Sequence, residues 1–195
     1  MALNNHSIRV MIYFVLRCRN SCSLILLMTA FFSCLFSFGS GTCDCWRSQS
    51  RSASRSWGYY SERVDAIDFQ TSGDVILQGY RLWGVNSGST SFQVAFGLYH
   101  GSTLIAQRNG SYPTSSSAKT LEVHFSQGIS IRAGVRYTAT AKITTSDNSH
   151  AHSDGVASTS CSGVTITFKS SSKNSNGSGV SSGQIPALIS RSSQC

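Results

Sequence analysis

From Trp57 onward, apolar side chains recur at every second residue. Phe92, Val94, Phe96 and Leu98 alternate with Gln93, Ala95, Gly97 and Tyr99; Leu121, Val123 and Phe125 alternate with Thr120, Glu122 and His124. The same period runs through Tyr137, Ala139, Ala141 and Ile143, and through Val164, Ile166 and Phe168. A period of two places one face of a strand on a core and the other in water, and no stretch of this region repeats at the 3.6 residues of a helix. Further strands are expected at residues 67–69, 75–83 and 129–133 and at the end of the chain. Roughly nine strands, spaced about 8 to 14 residues apart and separated by Gly, Ser and Asn, predict an all-β antiparallel sandwich.

The closing stretch, KNSNGSGVSSGQIPALIS at residues 173–190, reads first as a flexible linker and then turns into a strand. Asn and Gly accept left-handed backbone, so residues 174–183 suit a long turn. Pro186 is expected to open an edge strand, where its missing N–H breaks no ladder bond, with Ile185, Leu188 and Ile189 facing the core.

The 195 residues, 40% of them hydrophobic, suffice for one domain with a core and an additional segment. The net charge of +8 raises nucleic-acid binding, but it is unevenly placed. Residues 1–56 carry six arginines against Asp44 alone, net +5, whereas residues 57–190 carry nine Lys and Arg against seven acids, net +2. A nucleic-acid binder needs its cations clustered on the folded surface, so no nucleic-acid partner is expected.

The N-terminal region, residues 1–41, contains the apolar run LILLMTAFFSCLFSF at 24–38 and is expected to be a signal peptide, a signal anchor or a membrane-spanning helix, with residues 23–40 as the membrane segment. Three arginines stand on each side of the run and leave its orientation open. Residues 42–55 alternate serine with arginine and read as a solvated basic tether, with the serines as possible kinase substrates. The domain itself is expected at 56–190, followed by a tail at 191–195. Localisation stays open between membrane-associated or secretory, from the N-terminal segment, and cytoplasmic. The seven cysteines show no disulfide framework: Cys161 stands alone inside the expected domain and reads as a packing residue.

Catalysis would need a nucleophile with a base, paired carboxylates or metal ligands. His150-Ala-His152 with Asp147 and Asp154 is the one local cluster of metal-ligand type, and a Ser-Asp-Asn-rich loop with two histidines is ordinarily solvated. No glycine-rich stretch continues into a Lys-Ser/Thr helix start, as a phosphate loop would. No catalytic residue, metal or cofactor is therefore expected. Asn109-Gly110-Ser111 and Asn176-Gly177-Ser178 are glycosylation sequons if the domain reaches the secretory lumen, and turns otherwise.

In order along the chain stand SWGY at 56–59, DAIDF at 65–69, ILQGYRLWG at 76–84, FQV at 92–94, LEVHF at 121–125, GVRYTATA at 134–141 and SNGSGVSSGQIPALI at 175–189. With these seven motifs the chain resembles the PHR domain, found in Highwire-type ubiquitin ligases and in BTB-domain adaptors of cullin ligases. The resemblance implies a sandwich of about eleven antiparallel strands closed by the Gly-Gln-Ile-Pro segment. It implies structural roles for Trp57, Gly58, Gly79, Gly84, Asn176, Gly177, Gly183, Gln184, Ile185 and Pro186. It also implies a function: binding a protein partner, with a link to substrate recruitment for ubiquitin ligases. No BTB domain or RING-type Cys-His pattern stands in the first 56 residues.

The expected partner surface consists of loops carrying Tyr60, Asn86, Tyr112, His150 and His152, because exposed aromatic and polar side chains on loops are favoured interface anchors. The reading is a non-catalytic protein-interaction module whose partner is unidentified; a secreted or cell-surface sandwich binding an extracellular ligand such as a glycan is the alternative.

Overall fold

The computed structural model describes residues 41–58, 63–161 and 163–192. The expected membrane segment at 23–40 and the residue Tyr60 lie outside them. Among the described residues no helix is long and apolar enough to cross a membrane.

Among the described residues twelve strands follow one another: β1 (Gly41–Trp46), β2 (Arg55–Trp57), β3 (Asp65–Thr71), β4 (Val75–Trp83), β5 (Ser89–His100), β6 (Thr103–Ser115), β7 (Thr120–Ile131), β8 (Arg136–Thr144), β9 (Ser149–Ala151), β10 (Ser158–Cys161), β11 (Val164–Ser170) and β12 (Ala187–Ser192). A four-stranded sheet has the order β1-β12-β4-β7, and a six-stranded sheet the order β10-β11-β3-β8-β5-β6. The short ribbon β2-β9 stands apart from both. All pairings are antiparallel. The expected sandwich is what forms, with the alternating residues Phe92, Val94, Phe96 and Leu98 of β5 and Tyr137, Ala139, Ala141 and Ile143 of β8 buried.

Strand β4 shows how the chain corrects its own phase. Val75 and Leu77 point inward, yet so do Tyr80 and Leu82, an odd step that strict alternation forbids. A register shift between Leu77 and Gly79 absorbs the extra residue. At that bulge β4 runs so close to β7 that a Cβ on Gly79 would lie 1.9 Å from the Val123 carbonyl oxygen, so only glycine fits. The phase change delivers Tyr80 into the core. There its ring meets Phe96 and Phe125 edge-on at 6.0 and 5.5 Å, and its hydroxyl donates to the Gly97 carbonyl of the opposite sheet at 2.9 Å.

Residues 42–48 are not a tether. β1 pairs with β12 from Gly41 to Trp46, and Arg47 and Ser48 beyond it are 2% and 1% exposed. The expected edge position of the closing strand is likewise corrected: β12 lies between β1 and β4, and Pro186 escapes the ladder by preceding it, its carbonyl accepting from the Arg47 backbone N–H at 2.9 Å. Cys161 does not stand alone either, because it is disulfide-bonded to Cys45 across 116 residues of sequence. That bond ties β1 in one sheet to β10 at the margin of the other, so it closes one side of the sandwich covalently.

Arg47 also explains how the glycine-serine stretch is held. Its Nε donates to the Ile185 carbonyl at 2.7 Å, one terminal nitrogen donates to Gly179 and Val180 at 2.8 and 2.6 Å, and the other donates to Ser182 at 3.2 Å. The fork of donors therefore solvates a buried charge with main-chain oxygens. Asp65, 1% exposed, contributes attraction to Arg47 and accepts from the Asn176 amide at 3.0 Å. Burial pushes the Asp65 carboxyl up to about 6 and the Arg47 guanidinium down to about 10. The stretch that looks like a linker is thus clamped on both sides by buried polar groups.

Candidate interaction surface

The expected loop surface divides in two. Asn86 and His150 do come together: the Asn86 amide donates to Ser56 at 2.7 Å, Ser56 pairs with His150 in the β2-β9 ribbon, and the His150 backbone N–H donates to the Gly84 carbonyl. Trp57 and Gly58 lie half-buried at the same end. Burial and the charge of Lys119 lower the His150 pKa.

His152 and Tyr112 are corrected. His152 has no exposed surface; its Nδ1 accepts from the Trp83 indole N–H at 2.9 Å, and the rings stand 6.1 Å apart. Burial holds its pKa down at about 3. It packs the closing segment and cannot touch a partner in this conformation. Tyr112 sits not in a turn but in β6, half-buried against Phe96 with ring centroids 6.3 Å apart. The hydrophobic register that carries Phe92 inward carries its opposite residue Tyr112 with it. Among the described residues no group of His, Cys, Asp and Glu is arranged to hold a metal ion.

The expected motif positions lie at close approaches, turns and buried contacts. A Cβ on Gly84 would meet the Thr114 hydroxyl at 2.3 Å, and Gly183, at φ +137°, faces Ser178 and Arg47. Gly177, at φ +75°, makes the turn beside Trp57. Asn176 bonds Asp65, Gln184 donates to the His150 carbonyl at 2.9 Å, and Ile185 and Pro186 are buried.

The two outer faces of the sandwich differ in charge. On the four-stranded sheet Arg81 bridges Asp44 and Glu122, each at 2.6 Å, and Glu122 also meets His124 at 2.9 Å. That face neutralises itself. The outer face of the six-stranded sheet carries Arg136, Lys142 and Lys169, with Lys173 beside it, against Asp68.

This second face is also concave. Ala95 and Gly97 of β5 and Thr138 and Thr140 of β8 are small residues pointing outward, and the two threonines are only 6% and 8% exposed. Ala95, Gly97 and Thr140 floor a groove of about 400 Å³ rimmed by Tyr99, Leu104, Gln107, Lys142 and Lys173, and Thr138 lines the groove beside it. A second groove of about 530 Å³ adjoins it through Lys173, reaching Asp68, His100 and Arg136. Lys173 stands 4.4 Å over the Tyr99 ring, and Leu104 is 42% exposed. A dry floor with a cationic, partly apolar rim suits an extended segment that brings acidic side chains. Sequence reasoning missed this trough; the signal available was the run of small outward residues opposite large inward ones on β5 and β8.

Comparison with known proteins matches residues 47–191 to the family model described as the PHR domain. Over 145 residues, 74% of this chain, it is 31% identical to BTB/POZ domain-containing protein 6-A of Danio rerio and to BTB/POZ domain-containing protein 6 of Homo sapiens, and 30% identical to BTB/POZ domain-containing protein 3 of Mus musculus. The match covers 27% of each of those relatives, so the chain spans about a quarter of their length. It begins at Arg47, the residue that clamps the closing segment, rather than at residue 56. On the match to residues 47–191 and on this sandwich, the chain belongs to the PHR domain family.

Proposed function

We propose that this chain, a protein-interaction module by its family and relatives, captures its partner without catalysis by seating an extended acidic segment in the trough on the six-stranded sheet. One observation carries the reading: the cationic, small-floored trough on β5 and β8, opposite a face whose charges neutralise one another. Long-range attraction to Lys142, Lys173 and Arg136 would steer the segment, and Tyr99 and Leu104 would hold its apolar residues. The Asn86-His150 end is the second candidate surface.

A link to substrate recruitment for ubiquitin ligases is the finer reading that the family resemblance implies, and it requires a reducing compartment shared with a ligase. Cys43, Cys45 and Cys161, the cysteines among the described residues, are all disulfide-bonded, which favours an oxidising setting. For this chain we favour partner capture there.

Selection of a displayed-peptide library on the oxidised domain tests the reading. Peptides enriched in Asp and Glu are expected, with binding lost on the double reversal Lys142→Glu, Lys173→Glu. Enrichment of neutral or basic peptides, or binding indifferent to the reversal, would refute it.

A further inference from the structure

We propose that Asn109 is an N-glycosylation site of the folded protein and that the second sequon among the described residues, at Asn176, is closed by the fold. These two sequons are alike in sequence, Asn-Gly-Ser in both, and opposite in structure.

Asn109 is exposed on β6, the margin of the six-stranded sheet, rather than in a turn as the sequence suggests. It pairs with Ala95, whose side chain points away from the core, so the Asn109 side chain leaves the sandwich on the same outer face. Its neighbours there are exposed and polar: the Gln107 amide lies 3.5 Å from Asn109 Oδ1, and Ser111, the third sequon residue, accepts from Gln93 at 3.0 Å. A sugar leaving this position meets solvent. Asn176 is 4% exposed, and its amide nitrogen, the atom a glycan would occupy, donates to buried Asp65 at 3.0 Å. Attachment there would break that bond and force the sugar into the segment clamped by Arg47. A chain modified at Asn176 does not reach this fold.

An independent observation places the domain where such chemistry occurs. All three cysteines among the described residues are disulfide-bonded, and the Cys45–Cys161 bond joins residues 116 apart. Bonds of this kind persist in the secretory lumen and outside the cell, where oligosaccharyl transfer also takes place. In the transfer, the Asn109 Nδ2 forms a bond to the anomeric carbon of a polyprenyl-diphosphate oligosaccharide. The carbon–oxygen bond to the diphosphate breaks, the lipid diphosphate leaves with the electron pair, and Nδ2 gives up one proton. Beside Ala95 and Gln107, the glycan would stand at the β6 margin of the trough.

The full chain, expressed from Met1 in a eukaryotic secretory cell line, tests the inference by its mobility before and after peptide N-glycosidase. With Ser7→Ala in every version to remove the third sequon, Asn5-His6-Ser7, one glycan is expected on the secreted or lumenal protein. It should be lost on Ser111→Ala, kept on Ser111→Thr and kept on Ser178→Ala, with isotope-labelled deamidation at position 109 and none at 176. Maleimide labelling before reduction should leave Cys45 and Cys161 unmodified. No glycan on the chain carrying Ser7→Ala alone, a glycan that survives Ser111→Ala, or free thiols at 45 and 161 would overturn it. The trough takes no part in these readouts, so peptide selection on the isolated oxidised domain succeeds or fails separately.

Discussion

Two polar regions of this molecule do opposite work. Around the closing segment, Arg47, Asp65, Asn176 and His152 are buried, and their hydrogen bonds go to main-chain oxygens, to one another or to Trp83. Along the six-stranded sheet, Lys142, Lys173, Arg136 and Tyr99 rim an open trough. The contrast teaches that the residues of greatest sequence distinctiveness, those of the glycine-serine and Gly-Gln-Ile-Pro stretch, are committed to holding the sandwich shut. The groups proposed to meet a partner stand mainly on β5 and β8, whose sequence is plain alternation, with Lys173 at the very start of the glycine-serine stretch.

Breaking the buried region should cost most. Arg47→Ala leaves four carbonyl oxygens of residues 179–185 without their donor, and loss of about 3 to 5 kcal/mol is expected in urea unfolding, as for a buried charge network stripped of one member. Loss below about 1 kcal/mol would mean that the segment is not clamped. Replacing both Cys45 and Cys161 by Ser should cost about 2 to 4 kcal/mol, because the bond closes a long loop in the unfolded chain.

A smaller effect sharpens the electrostatics. The His152 pKa is lowered to about 3, so the unfolded chain takes up a proton that the folded one refuses, and stability falls as pH drops from about 6.5 toward 3. The Asp65 pKa is raised to about 6, so the folded chain protonates first, and stability gains as pH drops from about 6 toward 4. The two slopes oppose each other in that window. Asp65→Asn removes the compensation, and its stability relative to wild type should decline by up to about 1.4 kcal/mol per pH unit between pH 6 and 4. Parallel pH profiles for the two proteins would contradict the assignment. Smallest of all in stability is the reversal of Lys142 and Lys173, expected to stay within about 0.5 kcal/mol of wild type because both are partly exposed surface groups. Its effect should fall on peptide binding.

Much of the sandwich was legible because β5, β8 and β11 each set their large apolar residues on the core face, and that imposes a period of two on the sequence. β6 escaped because it is a margin strand with most side chains in water, so nothing selects apolar residues at alternate positions. β1 escaped because Arg47 and Ser48 read as solvated polar residues, whereas the partners that permit their burial lie 106 to 138 residues away. The Cys45–Cys161 bond was hidden for the same reason of distance. Of the expected site, Asn86 and His150 meet because they flank the bridge between Val85 and Ser149, but the burial of His152 depends on Trp83 across the fold. The trough needs the small residues of two strands to share a face, a register that no single stretch of sequence displays.

The most direct measurement is an amide chemical-shift map of the isotope-labelled oxidised domain titrated with the acidic peptides taken from the displayed library. The account predicts that perturbations concentrate at Ala95, Gly97, Tyr99, Thr138, Thr140 and Lys142 while Arg47 and Asn176 stay still. Perturbations centred instead on Trp57, Asn86 and His150 would contradict it and move the partner to the β2-β9 end of the sandwich.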